Sequence, residues 1–259
     1  MADTLDLEHA MTIAHLAAEA GGHAAIEHFV SGIERTRKPD GSYVTAADLA
    51  AEKAILKIIC EAFPNHSVLS EESGVQEGDP SLRWIVDPLD GTHRFARGIQ
   101  SWGPLIALLR DDEVVVGSMS LPVVNETYWA AKGHGCWRNG SRCHVSTVSD
   151  WKEANLSMGS LSRVSETPAG EGMMKLVKSC DYTITGGDLG GASLILKGEA
   201  EAWLEAGVQT WDVAPMAVLV REAGGVFTDI DGKDTVATGS ACATNAVLSV
   251  HVRKTLGID

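Results

Sequence analysis

An apolar run that ends in two aspartates three residues apart, Trp84-Ile85-Val86-Asp87-Pro88-Leu89-Asp90-Gly91-Thr92, constrains this chain more than any other stretch. Its first three residues read as a buried strand. Asp87 stands at the strand end, Pro88 fixes the next backbone step, and Asp90 returns towards the same side. A helix starting at Gly91-Thr92 would leave free N–H groups beside the carboxylates, a natural cradle for phosphate. Two acids beside an anion site make chemical sense with cations between them, and hard oxygen ligands favour Mg2+. The competing reading is an ordinary Asp-rich turn.

The elements around this segment change period along the chain. Residues 5–30 place Ile13, Leu16, Ala17, Ala20 and Ala24 on one helical face, and Gly32 to Gly41 reads as a loop with basic residues. A second helix is expected over Thr45 to Phe63, with Ile55, Ile58, Ile59 and Ala62 apolar and Pro64 ending it. Short apolar runs follow: Val68-Leu69, Trp84 to Val86, Leu105 to Leu109, Val114 to Val116, Met119 to Leu121 and Thr127 to Ala130. With the Asn139-Gly140 hairpin signal they predict a mainly antiparallel sheet packed on the two helices.

Beyond about residue 146 the pattern becomes βαβα. Strands are expected at Asn155–Ser157, Thr183–Ile184, Ala202–Glu205, Val226–Thr228 and Cys242–Thr244, and helices at Leu189–Lys197, Val213–Glu222 and Ala246–Leu256. Gly224-Gly225 closes the middle helix. The chain therefore divides into an α+β half, 1–145, which carries the candidate metal segment Asp87–Asp90, and an α/β half, 146–259. Two layered sheets with helices between and outside them are the simplest assembly.

Charge narrows the partners. With 21 Lys and Arg against 35 Asp and Glu, net charge is −14, which disfavours nucleic acid and anionic membranes. No apolar run reaches the roughly 18–20 residues of a membrane span, and the acidic start Met1-Ala2-Asp3-Thr4 lacks signal-peptide character. Five scattered cysteines without a CxxC pair fit a reducing compartment. A cytoplasmic location is the expectation.

Three further stretches bear on chemistry. Ser70-Glu71-Glu72-Ser73-Gly74 follows a strand and offers another acid, though a solvated loop explains it as well. Thr45-x-x-Asp48 has capping-box spacing, and Asp48 is also placed to orient Thr92; both can hold. Trp211-Asp212-Val213-Ala214-Pro215 puts an acid at a helix start, either as an N-cap or as a remote metal ligand.

The combination V-T-A-A-D, S-E-E-S-G, W-I-V-D-P-L-D-G-T and W-D-V-A-P, in that order, resembles the inositol monophosphatase superfamily of Mg2+-dependent phosphatases over residues ~40–245. The resemblance implies a layered α/β/α/β/α sandwich, a homodimer, and a small phosphate ester as substrate. It implies two or three Mg2+ ions held by Glu71, Asp87, the Leu89 carbonyl, Asp90 and Asp212. Gly91 and Thr92 amides would bind phosphate, and Thr92 with Asp48 would orient the attacking water.

Within the superfamily, Phe95-Ala96-Arg97-Gly98 through Trp102 to Leu108, Ala154 to Ser162 and Gly186-Gly187-Asp188 resemble histidinol-phosphate phosphatases. Glu205 matches the position that touches the leaving group. Histidinol phosphate carries an ammonium and an imidazole, which Asp188 and Glu205 would complement. His93-Arg94 and Leu189-Gly190-Gly191 depart from the usual pattern, and His93 and Arg94 are candidates for the substrate edge. Inositol 1-phosphate or another polyol phosphate is the alternative substrate, and a non-catalytic binding protein on the same scaffold the alternative class. His134, Cys136, Cys143 and His144 imitate a zinc site without knuckle spacing.

Overall fold

The computed structural model describes residues 5–29, 33–39 and 41–258 of the 259. Residue 30, the end of the expected first helix, and Gly32, the start of the expected basic loop, lie outside the described residues. Helix α1 (Leu7–Ile26) is capped by Asp6, whose carboxylate accepts from the Glu8 and His9 N–H groups, both at 3.0 Å. Its buried face is made of Ala10, Ala14, Ala17, Ala18, Gly21, Gly22 and Ala25, not of Ile13 and Leu16. Close packing on the next helix selects small residues: a Cβ at Gly21 would lie 2.6 Å from Ile55 Cδ1.

Two short paired strands, β1 (Thr36–Arg37) and β2 (Tyr43–Val44), lead into α2 (Ala46–Ala62), with Thr45 as N-cap. Then come β3 (His66–Ser70), β4 (Gly74–Gln76), the long β5 (Asp79–Asp90), the one-turn α3 (Thr92–Phe95), β6 (Gly103–Arg110), β7 (Glu113–Leu121), β8 (Glu126–Ala131), β9 (Gly135–Arg138) and β10 (Ser141–Arg142). The two runs read separately at 114–116 and 119–121 are one strand, because Gly117 and Ser118 between them pair with Ala130 and Trp129 of β8. Strand order is β10-β9-β8-β7-β6-β5-β3-β4, antiparallel except for the parallel β3–β5 pair.

Period-two alternation splits this sheet between two cores. Trp84, Val86, Ile106 and Leu108 join Ala14, Ala18, Ile55 and Ile59 of α1 and α2. Ile85, Leu105, Ala107 and Leu109 face the other way, into the core built with the second half of the chain.

That half contains β11 (Asn155–Met158), α4 (Leu161–Ser165), α5 (Gly170–Ser179), β12 (Tyr182–Ile184), α6 (Asp188–Leu196), β13 (Ala202–Ala206), α7 (Thr210–Glu222), β14 (Val226–Thr228), β15 (Ser240–Thr244) and α8 (Ser249–Leu256). Its five strands run β12-β11-β13-β15-β14, parallel on either side of β11 and antiparallel at β15. Helices α6 and α7 lie between the two sheets, while α4, α5 and α8 cover the outer face of the second through Leu156, Met158, Leu204 and Cys242. The layers are α/β/α/β/α. Helix α7 starts three residues earlier than the sequence pattern suggests, at Thr210, because Gln209 is the N-cap and Asp212 occupies the third helical position. Its end is as expected: the Gly224 and Gly225 N–H groups bond back to the Arg221 and Val220 carbonyls.

Candidate active site

The site forms where β5 leaves the first sheet. β5 pairs with β6 up to Asp87–Leu105, and pairing resumes only at Asp90–Gly103, so Pro88 and Leu89 bulge out and both aspartates reach the sheet end. The turn then needs a left-handed residue, supplied by Gly91 at φ +82°, before α3 begins. The first N–H groups of any helix lack intrahelical acceptors, which leaves this turn rich in donors.

Asp87 is buried and Asp90 and Asp212 are partly buried, and one carboxylate oxygen from each lies within 4.8 Å of the others. Each accepts a backbone N–H: Leu89 to Asp87 at 2.9 Å, Leu189 to Asp90 at 2.8 Å, and Gln209 to Asp212 at 2.7 Å. Burial drives all three pKa values up. Neighbouring acids add to it, Glu71, Asp212 and Asp90 for Asp87, and Asp188 and Asp212 for Asp90. Asp212 is pushed up to about 6. The donor set is all oxygen and carries clustered negative charge; it fits a hard divalent cation. Among the described residues this is the one cluster of metal-binding type, so His134, Cys136, Cys143 and His144 do not assemble a zinc site there.

Glu71 stands beside the trio but is engaged. Lys38 Nζ lies 2.9 Å from Glu71 and 2.7 Å from Glu72. Burial opposes the Lys38 ammonium, yet hydrogen bonds to Glu72 and Glu71 outweigh it and raise its pKa. Glu72 is pushed up to about 7, chiefly by burial.

Asp48 makes both of the contacts expected of it. Its Oδ2 accepts from Thr45 N–H at 2.7 Å and Thr45 Oγ1 at 2.6 Å, closing the cap of α2. Its Oδ1 lies 2.9 Å from Thr92 Oγ1, which is also 3.1 Å from the Leu89 carbonyl. Burial raises the Asp48 pKa, and the hydrogen bonds from Thr45 and Thr92 restrain the rise.

The second half supplies the facing wall. Glu205 on β13 is buried, with its carboxylate over Gly159, where any side chain would collide with it. Oε1 accepts from the Ser160 and Ala206 N–H groups at 3.1 and 3.2 Å, while Oε2 is buried without a partner. Burial pushes Glu205 up to about 7. Asp188 is paired with Arg94, Nε to Oδ2, at 2.6 Å. His93 is exposed near the Tyr43 ring, 6.1 Å between centroids, and desolvation with Arg97, Arg35 and Arg94 nearby lowers its pKa.

Sequence reasoning missed Glu52, one helical turn after Asp48. Its Oε1 accepts from Ser70 Oγ at 2.5 Å and from the Ser73 N–H and hydroxyl, both at 3.0 Å, which ties down the turn carrying Glu71. The signal was available: Asp48 and Glu52 are i,i+4 on the buried face of α2. Lys38 and the Leu189 N–H were also missed, since neither is close in sequence to what it holds.

A model of the inositol monophosphatase family matches residues 6–256. A histidinol-phosphatase of Streptomyces coelicolor is 35% identical, covering 92% of this chain and 93% of that protein. One of Mycobacterium tuberculosis is 38% identical over 83% and 85%. Among solved structures, the extragenic suppressor protein suhB of Bartonella henselae superposes with a TM-score of 0.87 at 28% identity, covering 95% of this chain and 97% of that one.

Proposed function

The chain belongs to the inositol monophosphatase family of phosphatases, and from that premise we propose that it hydrolyses histidinol phosphate to histidinol and inorganic phosphate, using Mg2+. The observation that carries the reaction class is the convergence of Asp87, Asp90 and Asp212, whose carboxylate oxygens come within 4.8 Å of one another. A non-catalytic binding protein has no use for buried, mutually repelling carboxylates.

In this reading Glu71, Asp87, the Leu89 carbonyl, Asp90 and Asp212 hold two or three Mg2+ ions. Bound there, Mg2+ neutralises the phosphate, acidifies the attacking water and stabilises the leaving alkoxide. The Gly91 and Thr92 amides grip phosphate oxygens. Asp48 takes the Thr92 hydroxyl proton in a hydrogen bond, so that a lone pair of Oγ1 stays available to accept from the attacking water and fix its direction. No covalent nucleophile is needed. A homodimer in the cytoplasm belongs to the same reading; among the described residues no helix is long and apolar enough to cross a membrane.

The substrate edge comprises Asp188, Glu205, His93 and Arg94. The unpartnered Oε2 of Glu205 calls for a hydrogen-bond donor on the leaving group, and the two histidinol-phosphatase relatives favour an N–H in that role. The Arg94–Asp188 pair favours the second reading, inositol 1-phosphate or a related polyol phosphate, because it leaves one uncompensated acid on that wall. Phosphate release from both esters, with and without Mg2+, is the test. A higher kcat/KM for histidinol phosphate is expected. A higher value for inositol 1-phosphate overturns the substrate, and absence of metal-dependent release from any ester overturns the reaction.

A further inference from the structure

The turns Asp90–Arg94 and Gly186–Leu189, one from each half, meet at two points: Leu189 N–H on Asp90, and Arg94 on Asp188. The second contact is built into the backbone. Asp188 holds φ +49°, a left-handed conformation uncommon for a non-glycine residue. Gly187 has no side chain where the Arg94 guanidinium passes, and any Cβ there would strike it. Side-chain exposures of 24% for Arg94 and 33% for Asp188 keep the pair largely out of solvent, where salt screens it less than a surface pair. Arg163, anchored on the Gly207 carbonyl at 2.5 Å, adds a second positive field at Asp188.

We propose that Arg94 is a specificity-determining residue: by holding Asp188 in an ion pair it withdraws that carboxylate from the leaving group and leaves cation recognition to Glu205. The inference rests on the phosphatase reading, with the leaving group against the Asp188–Glu205 wall. An ammonium at this wall feels opposing fields from Arg94 and Asp188 that largely cancel. A polyol ring carries no charge, so it meets either group only through hydroxyl hydrogen bonds and responds less. Removing one partner therefore acts on the two kinds of substrate differently, and with a sign set by which partner is lost.

The test is a double-mutant cycle on the ratio of kcat/KM for histidinol phosphate to that for inositol 1-phosphate, at saturating Mg2+. Arg94→Gln frees Asp188 and is expected to raise the ratio about fivefold, through a lower KM for histidinol phosphate. Asp188→Asn frees Arg94 and lowers the ratio by about as much. The double variant returns to within about twofold of wild type. An unchanged ratio in Arg94→Gln, with both esters losing rate equally, means that the pair only shapes the turn and overturns the proposal. Reversed signs overturn it too. A wild-type protein inert towards both esters defeats the functional reading instead. Calorimetric affinity for histidinol across the same four proteins then reads the pair without turnover, and equal affinities overturn the proposal.

Discussion

Two groups of buried acids lie side by side in this molecule, and they are treated in opposite ways. On α2, Asp48 and Glu52 are saturated: each carboxylate receives three hydrogen bonds, from Thr45 and Thr92 in one case and from Ser70 and Ser73 in the other. At the ends of β5 and α7, Asp87, Asp90 and Asp212 receive one backbone N–H each and face one another. The hydrogen bonds to Asp48 favour its charged form and restrain the rise in pKa that burial causes. The trio repels itself unless protons or cations intervene. Burial of a carboxylate therefore does not mark a metal site; shortage of donors around several of them does.

The contrast breaks most sharply at Asp90. Asp90→Asn removes one charge of the trio while keeping an oxygen that can accept from the Leu189 N–H. Activity should fall about 10^3-fold or more, since transition-state charge loses its counter-ion. Metal-free stability at pH 8 should rise, because a repelling charge has gone. Steady-state kinetics and thermal melts on the same protein check both. Activity within tenfold of wild type, or a lower melting temperature, removes Asp90 from the metal set.

Asp48→Asn probes the saturated side and should cost about 10^2-fold in kcat, the range of one positioned proton-handling group. The two Thr45 donors orient the new amide so that its oxygen faces them. Its NH2 then points at Thr92 Oγ1 and occupies the lone pair proposed to receive the attacking water. Metal affinity should stay close to wild type. If Mg2+ titrations shift instead of kcat, Asp48 acts on the metal and not on the water.

A milder test uses pH alone. The pKa values of Asp87 and Asp90 are raised and that of Asp212 is about 6. Groups held above their unfolded values contribute stability that is present below the ordinary carboxylate range and lost as pH rises through the folded values. The metal-free protein should therefore lose melting temperature, through this cluster, from about pH 5 to pH 8. Mg2+ competes with those protons, so its stabilising shift should be larger at pH 8 than at pH 5.5. A shift independent of pH would mean that the ion binds away from the trio.

Much of this arrangement was legible in the sequence because the decisive groups lie in single short segments. Asp87, Asp90 and Thr92 share one strand–turn–helix, and the period-two runs around them marked the sheet. Thr45-x-x-Asp48 named its own cap. Contacts between segments distant in sequence were not legible: Lys38 on Glu71, Arg94 on Asp188, Leu189 N–H on Asp90. Helices α4 and α5 were also missed, since Gly170 and Gly172 dilute the helical signal and tertiary packing of Met173 and Leu176 decides the outcome. The buried face of α1 was misplaced because alanine and glycine, weak in any hydrophobicity pattern, are what a close helix pair selects.

The smallest expected effect belongs to Glu52, and it separates support from chemistry. Glu52→Gln keeps one acceptor oxygen for Ser70 and Ser73 but removes the charge that strengthens all three bonds. The new NH2 group has to find an acceptor in a buried place, so stability should fall by about 1–2 kcal/mol in urea denaturation. The turn carrying Glu71 loosens without losing a proposed ligand, and kcat should stay within about threefold while the Mg2+ requirement rises modestly. A kcat loss as large as that of Asp48→Asn would place Glu52 in the reaction itself. It would also end the distinction between the two acids of α2, one proposed to guide the water and the other to hold only a neighbouring turn.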